Sequence, residues 1–395
     1  MTVDSDTKQM IKDSIISLLD YCQKNNWAGY DPFDGLESRI FRKIPFFQNR
    51  ICRLLFIQAM KRSPINFRPL FLVPKAQNPK GLALFASTLV KLSDLGILDD
   101  SDLINSVLNK LIELRTQHSK FYCWGYNFDW QSRNFFLPKF SPNIICTTFA
   151  GNALMDAFDK SRDEKYLDMA ISAGQFILNG LNTTENDDEL CFSYTPLDRG
   201  QVHNANLLGA AYLARLYRIS GDETFIDPAH RAVRFSVRRQ QEDGSWAYGE
   251  GKTQRWIDNF HTGYNLIALK RFSEFSESSD FEESIQKGFR FYKAHFFADS
   301  EVAKYYHDRK YPIDIHAIAY SIITLIEFAS LDEDNVPLAE RVFLWTQEHM
   351  LSNKGCFFYQ KKPFYTNRIS YMRWSQAWIL YALVIFTKEM EEENL

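Results

Sequence analysis

Three histidines stand at matching places in a recurring sequence pattern. His203, His261 and His316 each come a few residues before a run of apolar residues at helical spacing. Asp258 precedes the second histidine and Asp314 precedes the third. At the first turn of a helix a neutral histidine has its proton affinity lowered by the helix dipole, so it can serve as a base or as a hydrogen-bond donor. The pattern therefore predicts acid/base chemistry by these side chains.

Helix capping is the alternative explanation for the same residues. Aspartate is favoured at a helix N-cap in any protein, which would account for Asp314 and could account for Asp258. Capping does not account for three histidines, or for Arg373 at the same place in another copy. We therefore expect at least two of the histidines to line a ligand cleft. A three-histidine zinc site is a sharper hypothesis, but no HxH or HExxH spacing supports it, and we expect no bound metal.

A repeating unit positions these residues, and each copy consists of a polar loop followed by an apolar helix. The unit is clearest over residues 240–272, and its copies recur at a period of about 55 to 65 residues. The apolar helices are predicted to start near the following residues: Lys80, Ile144, His203, Phe260, Ile315 and Ser375.

Amphipathic helices alternate with the apolar ones. A helix that is apolar nearly all round is buried, whereas one with a charged face is peripheral. The alternation therefore predicts an inner ring of helices wrapped by an outer ring. The predicted fold is an all-α toroid, an (α/α)6 barrel of helical hairpins, and the segment 51–63 leaves open whether a seventh inner helix is present.

Length, composition and charge limit the possible domain organisation, binding partners and location of the protein. A closed toroid can take 395 residues without a boundary, and no linker-like tract occurs, so one domain is predicted over residues 1–395. The net charge of −3 gives no electrostatic case for a nucleic-acid partner. We find no signal-peptide pattern and no apolar run of the roughly 20 residues that a membrane span needs. We expect a cytoplasmic protein, and its oligomeric state stays open.

In a helical toroid the loops that lead from outer to inner helices converge on one mouth, and such loops commonly carry a site. Aromatic residues make up 15% of the chain. Most are expected to pack in the core, and those in a cleft can stack on flat faces of a ligand. The polar and aromatic residues expected at the mouth are Asp31, Asp34, Asn78, Lys80, Trp124, Asp129, Arg133, Asp198, Arg199, Gln201, His203, Asn204, Arg255, Asp258, Asn259, His261, Asp314, His316, Arg373, Trp374 and Gln376.

Several segments carry a resemblance to known helical toroids. RRQQEDGSWAYG at 238–249 resembles the QW-type repeat of squalene and oxidosqualene cyclases, although the DxDD motif of hopene-forming cyclases is missing. The hairpin pattern is similar to that of six-hairpin glycosidases, unsaturated glucuronyl hydrolases and N-acylglucosamine 2-epimerases. GYDPFDGL at 29–36 and WIDNFHTGYNL at 256–266 resemble uncharacterised toroid proteins associated with bacterial surface-polysaccharide synthesis. The resemblance implies a glycan context.

The residues and the resemblance together predict a carbohydrate-active enzyme without a cofactor. Glycoside hydrolysis needs an acid and a base, for which Asp258 and Asp314 are the expected pair and Asp129 is a third candidate. Epimerisation or elimination would instead use His203, His261 or His316 to remove a carbon-bound proton. Hydrolysis is slightly favoured, because aspartate is plentiful at the mouth.

The predicted substrate is a saccharide with an anionic group. Guanidinium groups bind carboxylate or phosphate in a bidentate manner, and tryptophan stacks on sugar faces. A non-enzymatic glycan-binding scaffold would keep these groups without needing a carboxylate pair, whereas an isoprenoid-handling toroid would lack the arginines. The residues expected to bind substrate are Arg199, Asn204, Arg255, Arg373, Trp124, Trp374, Gln376 and Asp34.

Overall fold

The computed structural model describes residues 3–132 and 135–392, and two rings of helices make up most of this part of the chain. The outer ring consists of α1 (Ser5–Lys24), α5 (Ser101–Glu113), α7 (Glu164–Gly180), α9 (Ile226–Val237), α11 (Glu282–His295) and α13 (Asn335–Met350). The inner ring consists of α4 (Pro79–Asp94), α6 (Ile144–Ser161), α8 (His203–Ser220), α10 (Asn259–Ser276), α12 (Ile315–Glu327) and α14 (Trp378–Glu392). Two further helices, α2 (Arg39–Arg42) and α3 (Arg50–Arg62), lie outside both rings.

Contacts between neighbouring inner helices close the ring. Each inner helix packs against the next one along the chain, and α14 packs against both α12 and α4. The segment 51–63 lies largely within α3, which contacts residues 34–37 and the loop before α6 and takes no place in the ring. The described residues therefore form six hairpins, and the predicted (α/α)6 toroid is confirmed.

Burial explains why the two kinds of helix alternate. All but one of the thirteen residues of α12 are buried, whereas α9 buries only one side, which includes Ala229 and Val233. Inner helices approach one another closely where glycine is present. A Cβ atom added to Gly263 of α10 would lie 2.6 Å from the Tyr320 ring of α12. A single large hydrophobic cluster runs through both rings, so the inner helices form a rigid base for the loops above them.

The loops that lead from outer to inner helices are long and carry short antiparallel strands. β1 (Trp130–Gln131) pairs with β2 (Phe136–Leu137), and β3 (Thr183–Glu185) pairs with β4 (Leu190–Phe192). β5 (Phe297–Ala298) pairs with β6 (Val302–Ala303). β7 (Ile313–Asp314), β8 (Gln360–Lys361) and β9 (Thr366–Asn367) form a three-stranded sheet in that order.

Side-chain caps fix where several inner helices begin. Asn78 and Asn143 cap α4 and α6, and Asp258 and Asp314 cap α10 and α12. At the start of α14 the chain instead makes a π-helical turn from Met372 to Ala377. In the described residues no helix has the length and apolar character that crossing a membrane requires.

Candidate functional site

One large cavity opens among the long loops, and residues from the first two turns of the inner helices form its floor. Its volume is about 1430 Å³, which exceeds the roughly 300–1,000 Å³ typical of sites for small ligands. Lys80 of α4, Ile145 of α6, Asn204 of α8, Tyr264 of α10 and His316 of α12 all line it. The rings of hairpins therefore bring distant parts of the sequence to one mouth.

Aromatic side chains form much of the cavity wall, and fifteen of them line it. Tyr248 and Trp256 stack with ring centroids 4.4 Å apart, and both belong to the loop that precedes α10. On the other side, the Tyr126 and Tyr194 hydroxyl oxygens lie 3.0 Å apart. Flat aromatic faces with hydroxyl groups suit a ligand that combines apolar ring faces with many polar groups.

His261 is held at the cavity by the aspartate that caps its helix. Its Nδ1 lies 2.7 Å from Asp258 Oδ2, and its backbone N–H donates to Asp258 Oδ1 at 3.0 Å. Trp256 Nε1 donates to the same Oδ2 at 2.9 Å. Because the carboxylate accepts from Nδ1, the neutral ring has its lone pair on Nε2, which has no hydrogen-bond partner among the described residues. The side chain is 22% exposed, so this lone pair is available to a ligand.

His316 lies deeper and is surrounded by aromatic rings. Its imidazole stacks on Phe260 at 4.4 Å and on Trp378 at 4.9 Å, with Trp374 edge-on at 4.6 Å. Burial, together with the nearby charges of Lys80 and Arg373, lowers the pKa of His316 well below its usual value of 6.5. The ring is therefore neutral at physiological pH, and its Nδ1 is buried with no partner in the described residues.

A hydrogen-bonded chain crosses the cavity floor and ends at His316. Lys80 Nζ donates to the Tyr264 hydroxyl oxygen at 3.1 Å, and that hydroxyl lies 3.2 Å from His316 Nε2. Burial raises the pKa of Tyr264 well above 10, so its phenol keeps the proton and donates it to the imidazole. Burial, followed by repulsion from Arg373, lowers the pKa of Lys80 well below 10.5. Lys80 Nζ keeps further N–H donors for an oxygen atom of a ligand.

His203 lies behind the cavity wall rather than on it. It is buried, its Nε2 lies 3.1 Å from Glu250 Oε1, and its Nδ1 lies 3.3 Å from Ser236 Oγ. Glu250 does line the cavity, and the hydrogen bond from His203 is the largest cause that lowers its pKa. The histidine therefore holds Glu250 in its ionised form.

Charged side chains from α3 and from the β8–β9 loop form a basic wall. Lys61, Arg62 and Lys362 line the cavity and make no ion pair within the described ranges. Burial lowers the pKa of Lys61 to about 8, against the attraction of Asp314 and Asp31. Among the described residues, seven lysines and arginines line the cavity against three carboxylates, so this lining favours an anionic ligand.

Half of the fourteen residues predicted to be catalytic or to bind substrate line this cavity. Arg199 is exposed at the rim, and the buried Oδ1 of Asn204 has no partner among the described residues, which leaves it for a ligand. Arg373 is held by Asp31 through two bonds of 2.6 and 2.8 Å. Those that line the cavity are Arg199, Asn204, Asp258, His261, His316, Arg373 and Trp374, and from the wider set expected at the mouth Lys80, Asp198 and Gln201 line it too.

The carboxylates predicted as partners of Asp258 lie away from the cavity. Asp314 is completely buried, and its oxygens accept from His316 N at 2.9 Å, from Trp374 Nε1 at 3.0 Å and from Gln360. Burial is the main cause that raises its pKa. Asp129 is paired with Arg42 Nη2 at 3.0 Å, outside the cavity. The structure thus corrects the expected placement of both residues, because each is engaged by other groups of the protein.

Other predicted binding residues are also placed elsewhere. Asp34 is buried against Arg68 at 2.6 Å, and Trp124 is in the core with its Nε1 donating to the Leu111 carbonyl. Gln376 binds the backbone of Phe357. Arg255 is exposed, does not line the cavity and donates to the Glu250 carbonyl oxygen at 3.1 Å, and His203 is buried. Arg133, expected at the mouth, lies outside the described residues.

The sequence pattern missed several residues that define the cavity. Tyr264 stands within the apolar run of α10, although its spacing of three from His261 places both side chains on one face of the helix. The pattern predicts neither Glu250 nor the basic wall, because it offers the segment 51–63 only as a possible inner helix. Among the described residues, no three His, Cys, Asp or Glu side chains form a group that could hold a metal ion.

The sequence matches no family model, and no curated protein matches it. Solved structures do share its fold. An unsaturated glucuronyl hydrolase specific for heparin superposes with a TM-score of 0.64 at 14% identity, covering 98% of both chains. Cellobiose 2-epimerase from Bacillus thermoamylovorans gives 0.62 at 10% identity, covering 79% of this chain and 88% of its own. An alpha-mannanase from Bacteroides thetaiotaomicron gives 0.58 at 13% identity, covering 81% and 87%. These likenesses show that the chain has the fold of helical toroids.

Proposed function

We propose that this protein is an enzyme that binds an anionic saccharide and epimerises it at a carbon next to a carbonyl group. The observation that carries the proposal is the Asp258–His261 pair, which presents an imidazole lone pair to a cavity with aromatic walls. Carboxylate-oriented histidine is a common general base, and its task here would be to remove a carbon-bound proton. The solved toroids with epimerase, hydrolase and mannanase names agree with a saccharide substrate.

The proposed reaction removes one proton from carbon, returns another to it, and moves no net electrons. His261 Nε2 accepts the proton as the C–H bond breaks, and the bonding pair moves into the carbonyl group to give an enolate. Lys80 Nζ keeps N–H donors beyond the one given to Tyr264, and these stabilise the developing negative charge on oxygen. Delivery of the Tyr264 hydroxyl proton to the opposite face of the carbon would give the epimer. The Tyr264 phenolate left behind would regain a proton from solvent, and protonated His261 would lose its proton to solvent, which restores both groups. Because the step is neither oxidation nor reduction, it requires no redox cofactor.

Hydrolysis, the activity favoured by the sequence, has weaker support at this site. It needs an exposed carboxylic acid with a raised pKa beside a second carboxylate. Asp258 is engaged by His261 and Trp256, Asp198 accepts three hydrogen bonds within its own turn, and the pKa of Glu250 is lowered. Among the described residues, therefore, no cavity-lining carboxyl group stands unengaged beside a second one, as an acid and base pair would require. The cytoplasmic location and the link to surface polysaccharides remain predictions.

Deuterium incorporation tests the proposal directly. The protein would be incubated in D2O with uronates, phosphorylated sugars and neutral reducing sugars, and proton NMR would follow loss of a C–H signal. We expect exchange and a new diastereomer with an anionic sugar, and neither with His261→Ala. Release of reducing ends from an oligosaccharide that requires Glu250 would overturn the proposal in favour of hydrolysis. Saccharide binding without exchange by the wild-type protein would overturn it in favour of a scaffold.

A further inference from the structure

A forty-residue segment between α1 and α4 differs in composition from the rest of the chain. Residues 38–77, named here the basic segment, contain nine lysines and arginines and no aspartate or glutamate, in a chain whose net charge is −3. They include α2, α3 and the turns that flank them. Arg39, Lys43 and Lys75 are exposed and form no ion pair within the described part of the chain.

The same segment exposes large apolar side chains. Phe46 is 87% exposed, Ile51 is 68% exposed and Leu55 is 64% exposed. Ile51, Leu55 and Ala59 follow one another at intervals of four, so they form one exposed stripe along α3. Beyond the helix Ile65, Leu70 and Leu72 are exposed too. Exposed apolar groups that are clustered in this way mark an interaction surface.

The basic segment is a preformed platform. Phe41 stacks on Phe56 at 4.4 Å and on Phe47 at 5.8 Å, and Phe56 meets Phe71 edge-on at 5.2 Å. These rings join α2, α3 and the following turn above a small cluster of buried residues that is separate from the main core. The exposed apolar groups are therefore held on the outer side of an ordered support.

Charge and side-chain chemistry decide which partner fits this surface. A second copy of the chain would bring two basic segments together and would be opposed by charge repulsion. Nucleic acid would use the basic groups but would leave exposed aliphatic side chains such as Ile51 and Leu55 in water. An anionic bilayer satisfies both features, because its headgroups attract lysine and arginine and its acyl boundary accepts apolar side chains.

We propose that the basic segment docks this protein onto the surface of an anionic lipid membrane without crossing it. The surface adjoins the cavity, since Leu55 and Lys61 of α3 line the cavity mouth. Phe364, in the β8–β9 loop at the same rim, is 97% exposed and adds an apolar contact. Docking would therefore hold the cavity mouth beside the membrane. The inference does not depend on the reaction proposed above.

Vesicle co-sedimentation tests the docking surface. The full chain would be mixed with vesicles of phosphatidylcholine alone and with an equimolar mixture of phosphatidylcholine and phosphatidylglycerol, at low and at high salt. We expect partition to the anionic vesicles only, reduced by salt. The double variants Ile51→Ser/Leu55→Ser and Arg39→Gln/Lys43→Gln should each lower the partition coefficient by about tenfold. The matched changes Ile16→Ser and Lys120→Gln, at exposed positions elsewhere, should leave it unchanged.

Each other outcome would overturn the proposal. Failure of the wild-type protein to bind anionic vesicles would do so, and so would binding that the two double variants do not change. A concentration-dependent dimer that Ile51→Ser/Leu55→Ser abolishes, without vesicle binding, would assign the surface to contact between copies. Because all four substituted positions are exposed, we expect both double variants to unfold at the same temperature as the wild type. This measurement distinguishes loss of membrane binding from loss of folding.

Discussion

The first turns of α10 and α12 begin alike and differ in their chemistry. Each is capped by an aspartate that accepts from the backbone N–H of a histidine, Asp258 from His261 and Asp314 from His316. In α10 the histidine comes three residues after the cap, and its ring returns to the same carboxylate at 2.7 Å. In α12 the histidine comes two residues after the cap, and its ring lies between Phe260 and Trp378 instead.

A shift of one residue rotates a side chain by about 100° around the helix axis. The same two residue types therefore give one imidazole that is oriented by a carboxylate and one that burial keeps neutral. The capping carboxylates differ accordingly, since Asp258 lines the cavity and Asp314 is sealed beneath it. We conclude that the two helix starts are not interchangeable copies, and four measurements test this difference.

Replacing His261 should have the largest effect. With His261→Ala the proposed base is lost, and we expect turnover of an active sugar to fall by about 10²- to 10⁴-fold. The rate of deuterium exchange into the sugar measures this, and thermal unfolding checks that the fold survives. His118→Ala, at an exposed position outside the cavity, is the control. Equal losses in both variants would remove His261 from the reaction.

Exchanging each cap for asparagine compares the two helix starts directly. Asparagine caps as well as aspartate, but it cannot accept from the histidine backbone and from all other donors at once. Asp258→Asn should lower kcat by about 10²-fold, because an asparagine can favour the tautomer of His261 that carries its proton on Nε2. Asp314→Asn should mainly lower the free energy of unfolding, by about 1–3 kcal/mol. Rates and urea unfolding curves of both variants distinguish the outcomes, and a larger catalytic loss in Asp314→Asn would reverse our assignment.

The buried imidazole of His316 should make the free energy of unfolding fall as the pH is lowered. Because the folded-state pKa of His316 is lowered below 6.5, the unfolded chain binds more protons as the pH falls below that value. Its contribution to stability is full above about pH 6.5 and is lost with acidification, at up to about 1.4 kcal/mol per pH unit. His316→Phe keeps the aromatic stack and should flatten this slope in urea unfolding series. An unchanged slope would contradict the assignment.

The pKa of Lys61 depends on the buried carboxylate of Asp314, and the change expected in it is the smallest of the four effects. Its pKa is about 8 because burial outweighs the attraction of Asp314 and Asp31. After reductive methylation with a carbon-13 label, one dimethyl-lysine signal should titrate near pH 8, and it should be missing in Lys61→Ala. In Asp314→Asn the same midpoint should move lower, because an attractive negative charge is gone. A midpoint near the ordinary value of about 10.4 would show that Lys61 is solvated.

The arrangement of helices could be predicted because burial leaves a periodic trace in the sequence. Ile144, His203 and Ile315 are the first residues of their helices in the structure, at the predicted starts. Whether a polar side chain faces the cavity or is bound by the protein leaves no periodic trace in the sequence. Asp258 and Asp314 have the same sequence setting, and only the structure shows that Gln360 and Trp374 bind Asp314. The basic wall was missed for the same reason, because α3 approaches the cavity through tertiary contacts alone.

The ion pair between Asp31 and Arg373 has a consequence for biosynthesis. It joins positions 342 residues apart, and Arg373 reaches the cavity only when α14 has docked between α12 and α4. A ribosome adds about 5–20 residues per second, so Asp31 waits many seconds for its partner. During that interval the nascent polypeptide lacks part of its cavity wall. Incomplete chains are therefore expected to be inactive until α14 has been synthesised.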